Sequence, residues 1–273
     1  MTPLLNANRL MPGLQLKLEY LNPSLSIKHR AVPPAVFESA EERKDTRNLK
    51  LVILTSGTAG ISVAWAARRL DCEAVLLMPE SAKSSVINYS RQLGADVQCH
   101  PHTQLESLFQ EYKESPDTII VDQLADTTFI DRYRIVGEEL LHQNENISAI
   151  VVGAGSAASS MGIALATKEK GVPVYVVEPA EAPVLSGKPW QPHGIPGLAP
   201  PIPTRLFRRE WVADILHVDS ETAWATAHKA LQATGEPVGP SSGATIAGAL
   251  ELRERGIQGD IVSVCPSHLA ISL

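Results

Sequence analysis

The chain has 273 residues, a formal net charge of -6, 44% hydrophobic and only 5% aromatic side chains. That length exceeds the common single-domain size of about 100–150 residues, so two compact lobes with a cleft between them are expected. The acidic balance argues against a surface made to neutralise nucleic-acid phosphates, and no run reaches the roughly 18 apolar residues of a membrane span.

Residues Met1 to Leu10 lack a basic stretch followed by an apolar one, which implies a cytoplasmic protein. The three cysteines, Cys72, Cys99 and Cys265, are odd in number and lack CxxC spacing, as suits reduced thiols rather than disulfides or a zinc site.

Apolar runs alternate with segments of helical period. Leu49–Leu54 reads as a strand, Gly60–Leu70 as a helix, Cys72–Met78 as a strand, Ser84–Leu93 as a helix and Ala95–Cys99 as a strand. A polar helix around Leu105–Lys113 and a strand at Thr118–Asp122 complete one series. A second begins with strand Ile147–Val152 and continues as helix Met161–Lys170 and strand Val172–Glu178. Seven prolines and three glycines between Ala180 and Pro203 predict a long loop. Strand Val212–Val218, helix Ser220–Ala233, helix Ser242–Glu254 and strand Asp260–Cys265 follow. This alternation implies parallel sheets covered on both faces, with ligands beyond the carboxyl ends of the strands.

Three turns carry candidate chemistry. In Lys17-Leu-Glu-Tyr-Leu-Asn-Pro-Ser-Leu-Ser-Ile-Lys-His-Arg30, Asn22-Pro23 ends a strand, and Ser24 or Ser26 can cap a following helix. Lys28 would then lie in the first helical turn, where the helix dipole lowers an amine's pKa, as imine chemistry requires. Leu54-Thr-Ser-Gly-Thr-Ala-Gly60 joins a buried strand to a helix, and its N–H groups and hydroxyls suit a carboxylate. Val152-Gly-Ala-Gly-Ser-Ala-Ala-Ser-Ser-Met-Gly162 is also strand to helix, and its glycines admit an anion such as phosphate. A dinucleotide site would want GxGxxG there, but Ala158 holds the third glycine position, with Glu178 as the candidate ribose ligand.

In order along the chain, Thr2-Pro3-Leu4, Lys17-Leu-Glu, Asn22-Pro23, Ser26-Ile-Lys28, Arg30, Thr55-Ser-Gly, Met78-Pro-Glu80 and Gln92-Leu-Gly-Ala-Asp96 stand at family-like spacing. So do Gln123, the Gly153 turn, Gly194-Ile-Pro-Gly-Leu198, Pro240-Ser-Ser-Gly-Ala244 and Cys265-Pro-Ser267. Together they resemble the fold-type II pyridoxal-phosphate (PLP) enzymes, most closely the cysteine synthase and cystathionine β-synthase group.

The resemblance implies an α/β fold like that of the tryptophan synthase β-subunit, with two three-layer αβα lobes, mostly parallel sheets and PLP in the cleft between them. Lobes over residues 1–125 and 126–273 are expected, with roughly the first 15 residues pairing with the other lobe. By resemblance Lys28 is the Schiff-base lysine and the proton carrier. Gly153, Ala154, Gly155, Ser156 and Ala157 form the phosphate cup, although the family usually carries threonines where Ala154 and Ala157 stand. Thr58 takes the place of an asparagine that bonds the cofactor's 3′-oxygen, and His29 that of an aspartate. Thr55, Ser56, Gly57 and Gln123 grip the substrate carboxylate, and Ser267 faces the pyridine nitrogen. A neutral hydroxyl there leaves the ring a restrained electron sink.

The implied activity is β-replacement on an O-activated L-serine, O-acetyl- or O-phospho-L-serine, by sulfide or another small nucleophile through an aminoacrylate, in amino-acid biosynthesis by a homodimer. Two rivals stay open: a β-eliminating lyase or dehydratase of the same fold, and a degenerate homologue acting through a protein partner. Surface positions for His100 and His102, a helix-capping role for Ser241-Ser242 and a solvated Arg205–Arg209 segment are the plain readings elsewhere.

Overall fold

A computed structural model describes residues 1–43, 48–201 and 204–273, so residues 202–203 at the end of the expected loop lie outside the described residues. Its strands form two sheets. The smaller has the order β5 (Asp96–His100), β4 (Glu73–Pro79), β3 (Lys50–Leu54), β6 (Thr118–Ile120), with every pair parallel. Side chains alternate across it. Leu51, Ile53, Leu76 and Met78 pack with Ile61, Val63 and Ala64 of helix α2 (Thr58–Leu70), while Val52, Val75 and Leu77 meet Leu105 and Phe109 of α4 (His102–Lys113). A sheet buried on both faces explains why its strands read as continuous apolar runs. Helix α3 (Ser84–Gln92) bridges β4 and β5.

The larger sheet runs β1 (Leu4–Asn6), β2 (Leu14–Leu18), β10 (Asp260–Cys265), β7 (Ile147–Gly153), β8 (Val174–Pro179), β9 (Asp214–Val218). Only β1 pairs antiparallel. One face carries α5 (Thr128–Gln143) and α6 (Ala158–Thr167), and the other carries α7 (Ser220–Thr234) and α8 (Pro240–Glu254). The two αβα lobes and mostly parallel sheets expected from sequence are present.

Two helices depart from the sequence reading. Helix α5 lies between the two strand–helix series and was not anticipated, although buried Phe129, Ile130, Tyr133, Val136 and Leu140 carry a helical period that could have found it. It approaches α6 closely because Gly162 lacks a side chain: a Cβ there would stand 2.4 Å from the Ile130 carbonyl oxygen. The helix expected over Lys28 is instead a four-residue 3-10 turn, Ile27–Arg30, separated from α1 (Val32–Glu41) by Ala31 in a non-helical conformation.

Candidate active site

Strands β2, β10 and β7 are parallel neighbours, so their carboxyl ends deliver three segments to one edge. Beyond β2 comes the Lys28 turn, beyond β10 comes Pro266-Ser267, and β7 ends on Gly153. The first two are laced together: Ile27 N–H donates to the Pro266 carbonyl at 2.8 Å, His268 N–H to the Leu25 carbonyl at 3.2 Å, and Ser26 pairs with Ser267. Ser26, one of the two expected caps, accepts from Lys28 N–H at 3.3 Å. Ser24 serves elsewhere, its hydroxyl 2.8 Å from that of Ser62 on α2, and so ties this segment to the smaller sheet.

Lys28 is half-buried, and its ammonium has no hydrogen-bond or ion-pair partner among the described residues. Its pKa is lowered to about 8, and the cause is burial. This corrects the helix-dipole argument: four residues of 3-10 turn sum too few peptide dipoles to matter, whereas removal from water penalises the charged amine directly.

The Gly153 turn is shaped by backbone. Ala154 donates to the Val177 carbonyl at 3.2 Å and accepts from Ala199 N–H at 2.9 Å, and the Thr204 hydroxyl donates to the Ser156 carbonyl. Ala157 lies in the left-handed region at φ 65°, which an unbranched alanine tolerates better than threonine. Gly155 is required by space, since a Cβ would fall 2.3 Å from the Gly197 carbonyl oxygen. The N–H groups of Gly155, Ser156 and Ala157 find no acceptor among the described residues. Three free donors at the mouth of a helix suit a dianion.

On the smaller sheet, β3 leads into Thr55–Thr58, whose turn is held by Thr55 N–H on the Leu77 carbonyl at 3.0 Å and Gly57 N–H on the Thr55 hydroxyl at 3.2 Å. Ser56 is exposed, while Thr55, Gly57 and Thr58 are half-buried. Gln123 follows β6, the neighbour of β3, at the same edge. Its amide oxygen is buried without a donor, and a flip of the amide would offer its N–H₂ group to a carboxylate instead. Among the described residues no hydrogen bond joins Gln123 to the Thr55–Thr58 turn or Thr58 to Lys28.

Several side readings change. Ser241 and Ser242 do not cap α8, which begins at Pro240; the Ser241 hydroxyl lies 2.9 Å from that of Ser267, a partner the sequence did not reveal. Glu178 is fully buried and accepts from the N–H groups of Leu185 and Ser186 at 2.7 and 3.2 Å, so it fastens the 180–201 loop and is closed to a ribose. All three cysteines are free thiols, and no cluster suited to a metal occurs among the described residues.

Comparison with known proteins agrees with this fold. The pattern of the family described as "Pyridoxal-phosphate dependent enzyme" matches residues 1–267. The probable cysteine synthase of Bacillus subtilis (strain 168) is 31% identical over 280 residues, covering 97% of this chain and 90% of that protein. The crystal structure of a hydrogen sulfide-producing enzyme from Fusobacterium nucleatum superposes with a TM-score of 0.92 at 25% identity, covering 100% of this chain and 96% of that one. Cysteine synthase from Entamoeba histolytica gives a TM-score of 0.89 at 25% identity, covering 99% and 86%. With the match spanning nearly every residue described above, the chain belongs to the pyridoxal-phosphate-dependent enzyme family, in its cysteine-synthase-like branch.

Proposed function

We propose that this enzyme performs β-replacement on an O-activated L-serine, with O-acetyl- and O-phospho-L-serine as the candidate donors and sulfide as the default nucleophile. The observation that carries this reading is the environment of Ser267. Its hydroxyl pairs with the Ser241 hydroxyl, and among the described residues no carboxylate bonds to either. Bound PLP supplies an electron sink for charge at the substrate Cα, and a neutral partner on its ring nitrogen keeps that sink weak, which favours prompt loss of a β leaving group over racemisation or transamination.

The chain's own groups divide the remaining work. Lys28 holds the cofactor through its Nζ and moves the Cα proton. The free N–H groups of Gly155, Ser156 and Ala157 receive the phosphate, with Gly153 and Ala154 framing the cup. Thr55, Ser56, Gly57 and Gln123 would orient the substrate carboxylate, and Thr58 would bond the cofactor's 3′-oxygen. The same reading takes the lobe boundary near residues 125–126, a homodimer and a cytoplasmic setting. No described helix is long and apolar enough to cross a membrane.

Two results are expected. With Lys28 titrating at about 8, its reaction with PLP should accelerate about tenfold per pH unit at low pH and level off above pH 8, because only the neutral amine attacks. A midpoint near 10 in the rate–pH profile would contradict the burial argument. Gly155→Ala should weaken PLP binding roughly tenfold or more, since overpacking against the Gly197 carbonyl costs about 1–3 kcal/mol; titration of the PLP absorbance measures it.

The similarity to a hydrogen sulfide-producing enzyme favours one further reading, β-elimination with water taking the nucleophile's place. Product analysis with each serine ester and sulfide decides the matter. Cysteine in stoichiometric yield supports replacement, whereas pyruvate and ammonia in the presence of sulfide overturn it.

A further inference from the structure

Five residues of the motifs singled out in the sequence, Thr2, Lys17, Glu19, Asn22 and Arg30, have no place in cofactor or substrate binding. In the structure they form one hydrogen-bonded cluster with Glu139 of α5, which Thr2, Lys17 and Arg30 touch directly and Glu19 and Asn22 reach through Arg30. The Arg30 guanidinium is the hub: Nε and one terminal nitrogen donate to the Glu19 carboxylate at 2.9 and 3.1 Å, and both terminal nitrogens donate to Glu139 at 2.8 Å. A further bond reaches the Thr2 hydroxyl at 3.0 Å. Lys17 donates to Glu139 at 2.6 Å, to the Thr2 carbonyl at 3.0 Å and to Gln143 at 2.8 Å. Asn22 completes the ring with bonds of 2.7 and 2.9 Å to Glu19.

Lys17 and Glu19 are fully buried, and the Arg30 and Glu139 side chains are 12% and 9% exposed. The four side-chain charges balance, two of each sign. Such a box recovers little net stability relative to apolar packing, because each charge is first stripped of water. What it supplies is a fixed direction. The planar guanidinium fork grips two carboxylates on different elements with paired, fixed-geometry bonds, whereas a lysine ammonium would hold them only as a flexible point charge. The Lys28 turn has backbone and hydroxyl anchors on its N-terminal side, through Ser26 and Ile27; on its C-terminal side Arg30, two residues on, ties it to the 19–21 turn and to α5.

We propose that Arg30 is a positioning residue for Lys28, with Glu19 and Glu139 as its seat, so that this buried charge box sets where the cofactor-binding amine stands. The inference rests on the reading of Lys28 as the PLP lysine.

The test follows covalent capture of PLP by the full-length protein, trapped with borohydride and mapped by mass spectrometry to the Lys28 peptide. Wild type and Arg30→Lys are compared over a pH series, with circular dichroism and thermal melts as the check on folding. Misplacing a reacting group by about 1 Å can cost about 10²-fold, so a folded Arg30→Lys protein should capture PLP about ten- to a hundredfold more slowly. Its pH midpoint should also rise above the wild-type value, since a displaced amine is better hydrated. Loss of thermal stability alone, with capture rate and midpoint unchanged, overturns the proposal. Should Arg30→Lys not fold, Glu139→Gln, which keeps the shape of the seat and removes one charge, decides by the same two readouts. Failure of wild type to capture PLP on Lys28 would overturn the reading of the site and this inference with it, an outcome distinct from parity between wild type and variant.

Discussion

If Lys28 holds the cofactor as proposed, Lys28→Ala is expected to abolish the visible absorbance of cofactor-loaded protein and to lower turnover by at least about 10³-fold, since both the covalent hold and the proton transfer assigned to it would be lost. The same substitution should leave the apoprotein as stable as wild type or more so at neutral pH. The sign follows from the lowered pKa: the unfolded lysine takes its proton at about 10.4 and the folded one at about 8, so the folded state carries a penalty that is complete below pH 8 and vanishes as pH rises past the unfolded value. Activity and stability should therefore move in opposite directions. A large fall in melting temperature for the apo variant would show that Lys28 has a structural role that its lack of a partner among the described residues does not suggest.

Glu139→Ala should be strongly destabilising. It removes the carboxylate that pairs with Lys17 and one of the two carboxylates on Arg30, leaving a fully buried ammonium with only neutral acceptors and a nearly buried guanidinium undercompensated. Breaking a buried pair from one side costs about 3–5 kcal/mol, which in a chain of this size lowers the melting temperature by roughly 10 °C. Calorimetry or a urea titration measures the loss. A change within about 1 kcal/mol would mean that water enters the site and rehydrates both cations.

Much of this was legible in the sequence. The central strands announce themselves because burial on two faces forces unbroken apolar runs such as Leu-Val-Ile at 51–53 and Ala-Ile-Val-Val at 149–152, whereas β1 and the bounds of β2, short or alternating in polarity, were not read. The turns at Thr55 and Gly153 were visible because glycine and small hydroxyl residues between a strand and a helix have few other uses. What stayed hidden was non-local. The motif residues Lys17, Glu19 and Arg30 could be named, but not their common partner, because Glu139 lies 109 residues beyond Arg30 and no local pattern marks it. The Ser241–Ser267 pair was missed for the same reason, and two adjacent serines before a helix naturally suggest capping. The lowered pKa of Lys28 was foreseen in direction but assigned to a helix dipole, because burial depends on what packs around a side chain rather than on its neighbours in sequence.

The placement of β2 has a consequence for how this protein is made. Strand β2, near the start of the chain, is flanked on its parallel side by β10, near the end, and β10 in turn separates it from β7. On the ribosome, β3 to β6 can pair as soon as they emerge, and β7 to β9 after them. The strand that carries the chain toward Lys28 must wait, its inner edge open, until Cys265 has been synthesised. Lys28, the proposed cofactor lysine, is thus translated well before β10, against which its turn is held, so its surroundings assemble only once residues up to Cys265 are available.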